Sequence, residues 1–314
     1  MTKLKYSILM LSLLTLSCSS LIRNKLTKNN FKEIKTDQIN AYENFYWSND
    51  TILGVYTEKV ALFLPIKLDK FKEKVLFQLD LGSASSEIYK KSLNIVSTKK
   101  IDSIGYLWNI KFNVNNSISK IDKIVVNKNS GGEERINGKI KLGNLGHDYF
   151  LNKILVLDYK NSKFLITDFL QSDFYEGFSE IKNVSINKFP ILLETKLNGV
   201  RSRTMFDTGS SNIEFMTYPE KFKKLKGASI VQEKCCVKAF GKDYTLSEVE
   251  TNNELEIFNK KISTLKIATT SKFLEDNQAI LGMKLLGIEG ITGNKFLLEN
   301  VIILNFKDNK MWLK

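Results

Sequence analysis

Most of the chain consists of short apolar runs separated by polar turns, a pattern that predicts strands rather than long helices. Val60–Leu68 and Lys74–Leu79 predict two strands joined by a short charged turn. Further strands are predicted at Ser103–Phe112, Ile118–Val126 and Ile154–Leu157, the last followed by a hairpin with a polar tip. The fold is therefore expected to be mainly β.

The second part of the chain repeats the order of the first. Phe189-Pro190-Ile191 matches Leu64-Pro65-Ile66, and residues 301–311 match residues 154–164 at a constant offset of 147 positions (301 − 154). The offset is smaller earlier in the repeat, so about twenty extra residues are expected in the second copy, between Glu248 and Asn277. A repeat of this length predicts two structural units related by a pseudo-twofold axis.

Each copy places an acid directly after an apolar segment and directly before a turn of small residues. The first copy is centred on Asp80 and reads KVLFQLDLGSASSEIY; the second is centred on Asp207 and reads RSRTMFDTGSSNIEF. One Asp-Thr-Gly triplet is a weak signal, but two related copies in matched positions of a repeat are a strong one. The alternative is that both are ordinary turn-forming acids, since Asp-x-Gly is common at turns.

These two segments resemble the acid motifs of the pepsin and retropepsin superfamily of aspartic peptidases, in particular the bacterial retropepsin-like proteins with two lobes in one chain. The resemblance implies a mainly β, two-lobed acid-protease fold whose lobes are pseudo-twofold-related β-barrels. Asp80 and Asp207 would share one proton, so that the ionised acid activates a water and the protonated acid polarises the substrate carbonyl. This chemistry needs no covalent nucleophile, which suits a chain whose single histidine is His147.

The resemblance also assigns supporting roles next to each acid. Gly82 and Gly209 would let the backbone turn tightly beside the carboxyl groups. Ser83 and Ser210 stand where the family has Ser or Ala, and a hydroxyl there can hydrogen-bond the carboxylate, so activity is expected to lean acidic. The alternative for both serines is an ordinary place in a turn.

Thr208 matches the family threonine whose hydroxyl reaches the opposite acid loop, but its partner in the first copy is Leu81. Half of a reciprocal pair of hydrogen bonds is therefore missing. A donor left unpaired at such a place costs about 1–3 kcal/mol. This departure weakens the expectation of activity without removing it.

Two later segments, Leu145-Gly146 and Thr292-Gly293, resemble the apolar-Gly segments that pack under the acid loops. Asn144 and Thr292 depart from the apolar type there. Both segments are interpreted as structural.

A peptidase of this class also needs a flap, a hairpin that closes over the substrate. Gly105 and Tyr106 are candidates in the first copy, and Phe240 and Gly241 in the second, because each pair puts a glycine beside an aromatic residue some way after its acid. Plain hairpin tips would have the same pattern.

The chain begins with a positive segment and a short apolar core that ends at Leu16-Ser17-Cys18. This pattern predicts a signal peptide over residues 1–17 and resembles a bacterial lipoprotein site with Cys18 lipidated. The alternative is an ordinary signal peptide in which the cysteine is incidental. Residues 18–50 are expected to form a tether, residues 51–175 the N-terminal lobe and residues 176–314 the C-terminal lobe. The expected location is the cell envelope, anchored to a bacterial membrane and facing the periplasm or the exterior.

The formal charge is +13, with 47 basic and 34 acidic side chains, but the lysines are scattered along the chain. Nucleic-acid binding is not expected, because it would more often show clustered basic residues with interleaved aromatics. No cofactor or metal is expected, since Cys18, the adjacent pair Cys235-Cys236 and one histidine do not make a zinc site. A chain that already holds both lobes is expected to act as a monomer.

The sequence thus favours an aspartic endopeptidase that acts on an extended polypeptide. The alternative is a catalytically silent lipoprotein that binds peptides or proteins on the same fold, and Leu81 is its main support. A third reading, a surface binder driven by charge, would require one concentrated basic face.

Overall fold

The computed structural model describes residues 23–34, 41–52, 55–69, 71–96, 105–239, 242–270 and 278–314. The predicted signal peptide and Cys18 lie outside these residues. Within them the chain is mainly β and forms three sheets. No helix in the described part is long and apolar enough to cross a membrane.

The first half of the described chain supplies twelve strands and two short helices, besides a helical turn at residues 23–26. The strands are β1 (Phe31–Ile34), β2 (Glu43–Asn44), β3 (Tyr46–Ile52), β4 (Val55–Leu68), β5 (Lys74–Leu79), β6 (Glu87–Tyr89), β7 (Tyr106–Val114), β8 (Ser117–Asn127), β9 (Arg135–Ile136), β10 (Lys139–Leu145), β11 (Ile154–Asp158) and β12 (Lys163–Thr167). The helices are α1 (Lys90–Val96) and α2 (His147–Phe150).

The second half of the described chain supplies thirteen strands and two helices. The strands are β13 (Ser179–Ile181), β14 (Val184–Ser185), β15 (Leu192–Leu197), β16 (Val200–Phe206), β17 (Phe215–Met216), β18 (Gln232–Ala239), β19 (Lys242–Thr251), β20 (Leu255–Ile257), β21 (Lys260–Ile262), β22 (Leu265–Thr270), β23 (Ile288–Thr292), β24 (Val301–Asn305) and β25 (Lys310–Leu313). The helices are α3 (Pro219–Lys226) and α4 (Gln278–Leu285), and short 3-10 turns occur at Ser172–Tyr175, Thr208–Ser210 and Lys295–Leu297.

Each half has its own sheet, and the two sheets share one pattern of pairing. In the first, β5 runs parallel to β10, and β10 runs antiparallel to β6. In the second, β16 runs parallel to β23, and β23 runs antiparallel to β17. The register skips one residue in each parallel pair, Leu142 in β10 and Glu289 in β23. These two bulges lie 147 positions apart (289 − 142), the offset found in the sequence repeat.

A third sheet joins the halves in the order β13-β25-β24-β11-β12-β2. At its centre β11 and β24 are antiparallel, and Val156 pairs with Ile303. These residues are equivalents in the repeat, so the pseudo-twofold axis passes between them. The mainly β, two-lobed arrangement predicted from the sequence is confirmed.

Several predicted strands match the structure closely. The hairpin that leads to Asp80 is β4 and β5, paired from Phe63 with Gln78 to Lys67 with Lys74. Strands β7 and β8 form the next predicted pair. The hairpin of β20 and β21 lies in the interval where extra residues were expected in the second copy.

Residues 23–34, here called the N-terminal arm, pack on the folded chain although the sequence placed them in the tether. Strand β1 pairs with β8. Phe31 is 4% exposed and packs edge-to-face on Phe112 and Tyr149. Burying one such ring stabilises the fold by about 1.5–3 kcal/mol, which explains why the arm is not free. The boundaries at residues 50 and 175 stay predictions.

Candidate active site

The two acids leave equivalent strands in equivalent ways. Asp80 follows β5, and its N–H donates to the carbonyl oxygen of Leu145 at 3.0 Å. Asp207 follows β16, and its N–H donates to the carbonyl oxygen of Thr292 at 2.9 Å. Leu145 and Thr292 end the neighbouring parallel strands. Each acid is therefore held at the equivalent place in its lobe, where two parallel strands end side by side.

The two acid loops meet across the pseudo-twofold axis, and a glycine on each makes the approach possible. A Cβ atom on Gly82 would lie 2.2 Å from Cγ of Asp207. A Cβ atom on Gly209 would lie 2.8 Å from Oδ1 of Asp80. Any side chain at either position would therefore collide with the acid of the opposite loop.

The two carboxyl groups lie next to each other, since a Cβ atom on Gly209 would be 2.8 Å from Oδ1 of Asp80 and 3.0 Å from Oδ1 of Asp207. Both acids stay partly accessible to solvent. Removal from water, followed by the neighbouring charge of Asp207, raises the pKa of Asp80 to about 7. Removal from water also raises the pKa of Asp207, although hydrogen bonds from Ser210 and Gly209 oppose the rise. Two acids in this arrangement cannot both ionise easily and hold one proton between them at moderately acidic pH.

Asp207 has the hydrogen bonds expected of the motif. Its Oδ1 accepts from the Gly209 N–H at 2.8 Å, and its Oδ2 accepts from the Ser210 hydroxyl at 2.7 Å. The expected contact between Ser210 and the carboxylate is present.

The equivalent contact at Asp80 is absent, because the Ser83 hydroxyl donates to the carbonyl oxygen of Ser85 at 2.9 Å. The side-chain amide of Asn144 takes its place, donating from Nδ2 to Asp80 Oδ2 at 3.1 Å. The expectation that both serines favour an ionised pair is therefore wrong for Ser83. In the sequence Asn144 stands out only as a polar residue where an apolar one is expected. A polar residue in a segment that packs under an acid was the signal that could have indicated this contact.

The Thr208 side chain connects the two acid loops through its hydroxyl. Its hydroxyl accepts from the Leu81 N–H at 2.9 Å and donates to the carbonyl oxygen of Leu79 at 2.9 Å. Leu81 is fully buried in the main core and offers no hydroxyl in return. Of the two reciprocal hydroxyl contacts between the acid loops, the structure contains only the one made by Thr208, as the sequence predicted.

The two segments interpreted as structural do pack under the acid loops. A Cβ atom on Gly146 would lie 2.6 Å from the carbonyl carbon of Ser85, and one on Gly293 would lie 1.7 Å from the carbonyl oxygen of Ser210. Thr292 is tolerated in place of an apolar residue because its hydroxyl donates to the carbonyl oxygen of Glu214 at 2.8 Å.

The flap candidates are only partly described. Gly105, with φ +82°, directly precedes β7, and Tyr106 begins that strand opposite Val125. The Lys123 ammonium lies 5.1 Å from the ring centre of Tyr106. Phe240 and Gly241 lie outside the described residues, between the paired strands β18 and β19. The flap assignments stay predictions.

A cavity of about 460 Å³ lies elsewhere, on the six-stranded sheet. It is lined by β12 and the segment that follows, including Leu165, Phe169 and Phe174, and by no residue of either acid loop. It is therefore not part of the candidate active site.

No known family profile matches this sequence, and no curated protein matches it. Among solved structures, a crystal structure of an aspartic proteinase from Irpex lacteus is similar over 81% of this chain and 94% of its own, with 11% sequence identity and a TM-score of 0.45. This similarity is remote. The two-lobed architecture and the pairing of the acids are given by the strand register and contacts of this chain itself.

Proposed function

We propose that this protein is an aspartic endopeptidase. The observation that carries the proposal is the meeting of Asp80 and Asp207, two acids from matched copies of a repeat whose carboxyl groups lie next to each other where the two lobes join. A pair of carboxyl groups that shares one proton supplies a general base and a general acid at the same place.

The substrate would be a polypeptide in extended conformation, lying between the lobes. One acid would take a proton from a water, and the other would donate a proton to the substrate carbonyl. Strand-like pairing with the flap regions near Tyr106 and Gly241 would hold the peptide backbone. We further propose that the protein acts as a monomer in the cell envelope, held by a lipid on Cys18.

The proposal is tested by incubating a mixed peptide library with a soluble form that begins at residue 19. Cleavage is measured at pH values from about 3 to about 8.5, because this range spans the pKa values expected of a shared-proton pair. Asp80→Asn and Asp207→Asn should each abolish cleavage. Asp122→Asn serves as the control, because this carboxylate is exposed and pairs only with Lys32 among the described ion pairs. Cleavage that survives either dyad substitution would contradict the proposal.

A second candidate is a silent peptide-binding protein on the same scaffold. Leu81 favours it, because one of the two hydroxyls that would connect the acid loops is missing. This candidate predicts that folded wild-type protein retains extended peptides in an equilibrium binding assay without cleaving them at any pH. Cleavage that depends on both acids would exclude it.

A further inference from the structure

We infer that Asn144 is a positioning residue that confines the proton of Asp80 to Oδ1, which makes Asp80 the acid and Asp207 the base of the pair. The catalytic meaning of this inference rests on the peptidase proposed above.

The Asn144 side chain is 5% exposed and makes two hydrogen bonds that fix its orientation. Its Oδ1 accepts from the backbone N–H of Glu87 at 3.1 Å. Because a backbone N–H can only donate, the amide oxygen must face Glu87 and the NH₂ group must face Asp80. The bond to Asp80 Oδ2 is therefore donated by Asn144 and cannot be reversed.

This donor restricts where the proton of Asp80 can lie. Oδ2 accepts from Asn144, so it does not carry a proton directed along that bond. Oδ1 lies on the side of the second acid loop, 2.8 Å from the point that a Cβ atom of Gly209 would occupy. We therefore assign the proton of Asp80 to Oδ1, the oxygen next to Asp207.

Asp207 is the opposite case, because both of its carboxyl oxygens already accept. Oδ1 receives the Gly209 N–H, and Oδ2 receives the Ser210 hydroxyl. Acceptance at both oxygens favours the ionised form. Asp207 is thus the acceptor of the shared proton, and Asp80 is its donor.

The two acids have different hydrogen-bond partners, although an exact repeat would give each acid the same ones. The equivalent of Asn144 in the second copy is Ile291, which has no donor to offer. The equivalent of Ser210 in the first copy is Ser83, whose hydroxyl is directed to Ser85. A serine on one side and an asparagine on the other leave the two acids in different environments.

The ionisable groups around Asp80 agree with this assignment. Asp207 and Glu87 both raise the pKa of Asp80, whereas the Asn144 bond lowers it. The pKa of Tyr89 is itself raised by burial and then by Asp80 and Glu87. Loss of the Asn144 donor should therefore make Asp80 release its proton at higher pH.

The hydrolytic step balances with these two groups and one water. Asp207 takes one proton from water as the oxygen bonds to the carbonyl carbon, while Asp80 gives its Oδ1 proton to the carbonyl oxygen. When the C–N bond breaks, the amine leaves with the proton that Asp207 acquired, and the proton on the former carbonyl oxygen returns to Asp80. The products are a carboxylic acid and an amine, and both acids regain their starting protonation.

The test is the pH dependence of kcat/KM for four variants of the soluble form. Asn144→Ile copies the residue of the second repeat, and Asn144→Asp keeps the shape but adds a charge on ionisation. Both should move the alkaline limb upward, by about half to one pH unit for the isoleucine and further for the aspartate. Ser210→Ala should move the acid limb upward, and Ser83→Ala should move neither limb.

A purely structural role for Asn144 would lower activity equally at every pH and leave both limbs in place, which would overturn the inference. Infrared difference titration of the protonated carboxyl band gives a readout that needs no activity. The band that titrates near neutral pH should disappear in Asp80→Asn. If this band remained in Asp80→Asn and was lost in Asp207→Asn, the inference would also be overturned. Absence of cleavage by the wild type would reject the peptidase, while the infrared result would still decide which acid carries the proton.

Discussion

Thr208 is the one described side chain that joins the backbones of the two acid loops through its hydroxyl. It satisfies one N–H and one carbonyl oxygen of the first loop, and both lie in a buried place. Leu81 has no hydroxyl to return this contact. The connection between the loops therefore depends more on the Thr208 hydroxyl than it would if both loops had a threonine.

Replacing Thr208 with valine should lower the free energy of unfolding by about 2–4 kcal/mol, since two buried polar groups lose their partner. Thr208→Ser keeps the hydroxyl and should cost clearly less. Urea unfolding of the two variants and the wild type measures the difference. Equal stability of the valine and serine variants would contradict a structural role for the hydroxyl.

Asp80 should make stability depend on pH in a known direction. Its folded-state pKa of about 7 lies above the value of about 3.9 expected in the unfolded chain. The folded state therefore binds more protons between about pH 4 and pH 7, and stability falls as pH rises through that window.

Asp80→Asn should consequently stabilise the protein at pH 8, by on the order of 1–3 kcal/mol, and have little effect near pH 3.5. Thermal unfolding at the two pH values checks this. Asp122→Asn, at an exposed site, should show no such gain at pH 8. A gain of equal size at both pH values would mean that the pKa of Asp80 is not raised.

The acids and their glycines could be predicted from the sequence, because each belongs to a local motif that occurs twice. It did not predict the partners of Asp80. Whether Ser83 or Asn144 reaches the carboxylate depends on how β10 lies against the first acid loop, 64 positions away in the chain. Such contacts are set by tertiary packing, which a local pattern does not contain.

Strands and turns were largely predictable where the apolar pattern was strong. The hairpin before Asp80 and the matched segments of the repeat appear in the structure as expected. Strand β1 was not predicted. It has four residues, its partner β8 lies about 90 positions further on, and only Phe31 marks its buried side.

The glycine under each acid loop should be required, because a side chain there would leave no room for the loop. Gly293→Ala would put a methyl group 1.7 Å from the carbonyl oxygen of Ser210, so the second acid loop must shift. We expect a loss of stability of about 2 kcal/mol or more from this overpacking. Differential scanning calorimetry measures it.

Gly132→Ala is the matched control, because a Cβ atom there meets no atom within 4 Å and the residue has no positive φ. It should change the free energy of unfolding by less than about 0.5 kcal/mol. A similar loss in both variants would show that the contact beneath the acid loop is not the cause.

For the molecule as a whole, the pseudo-twofold axis was predictable and the role of the N-terminal arm was not. Two runs that match at a constant offset place equivalent strands side by side, and Val156 pairs with Ile303 accordingly. The arm has no counterpart in the repeat. Its polar, lysine-rich composition resembles a tether, yet it contacts both halves of the chain.

The arm reaches the second half through two residues. Arg23 donates to the carbonyl oxygens of Lys188 and Pro190, each at 2.8 Å, and the Thr27 hydroxyl accepts from the Phe189 N–H at 2.8 Å. On the first half, Asn30 donates to the buried carboxylate of Asp148 at 2.9 Å. The arm therefore fastens the lobes to each other.

A soluble form that begins at residue 35 should be less stable than one that begins at residue 19. The loss should be on the order of 3 kcal/mol, because Phe31 leaves the core and the strand β1 is removed. Thermal unfolding compares the two forms, and Lys25→Ala in the longer form is the control, since this side chain is exposed. Equal melting temperatures would show that the arm does not contribute.

If Cys18 carries the proposed lipid, the arm also limits how far this protein acts from a membrane. With a lipid on Cys18, as proposed, only five peptide units separate the anchor from Arg23, a span of at most about 18 Å when fully extended. The corner formed by residues 188–190 would then stay close to the lipid headgroups, and the rest of the molecule could only pivot about that point. Its substrates would be chains that emerge from, or pass close along, the same bilayer, and proteins free in the surrounding fluid would have to come to the surface to be cut.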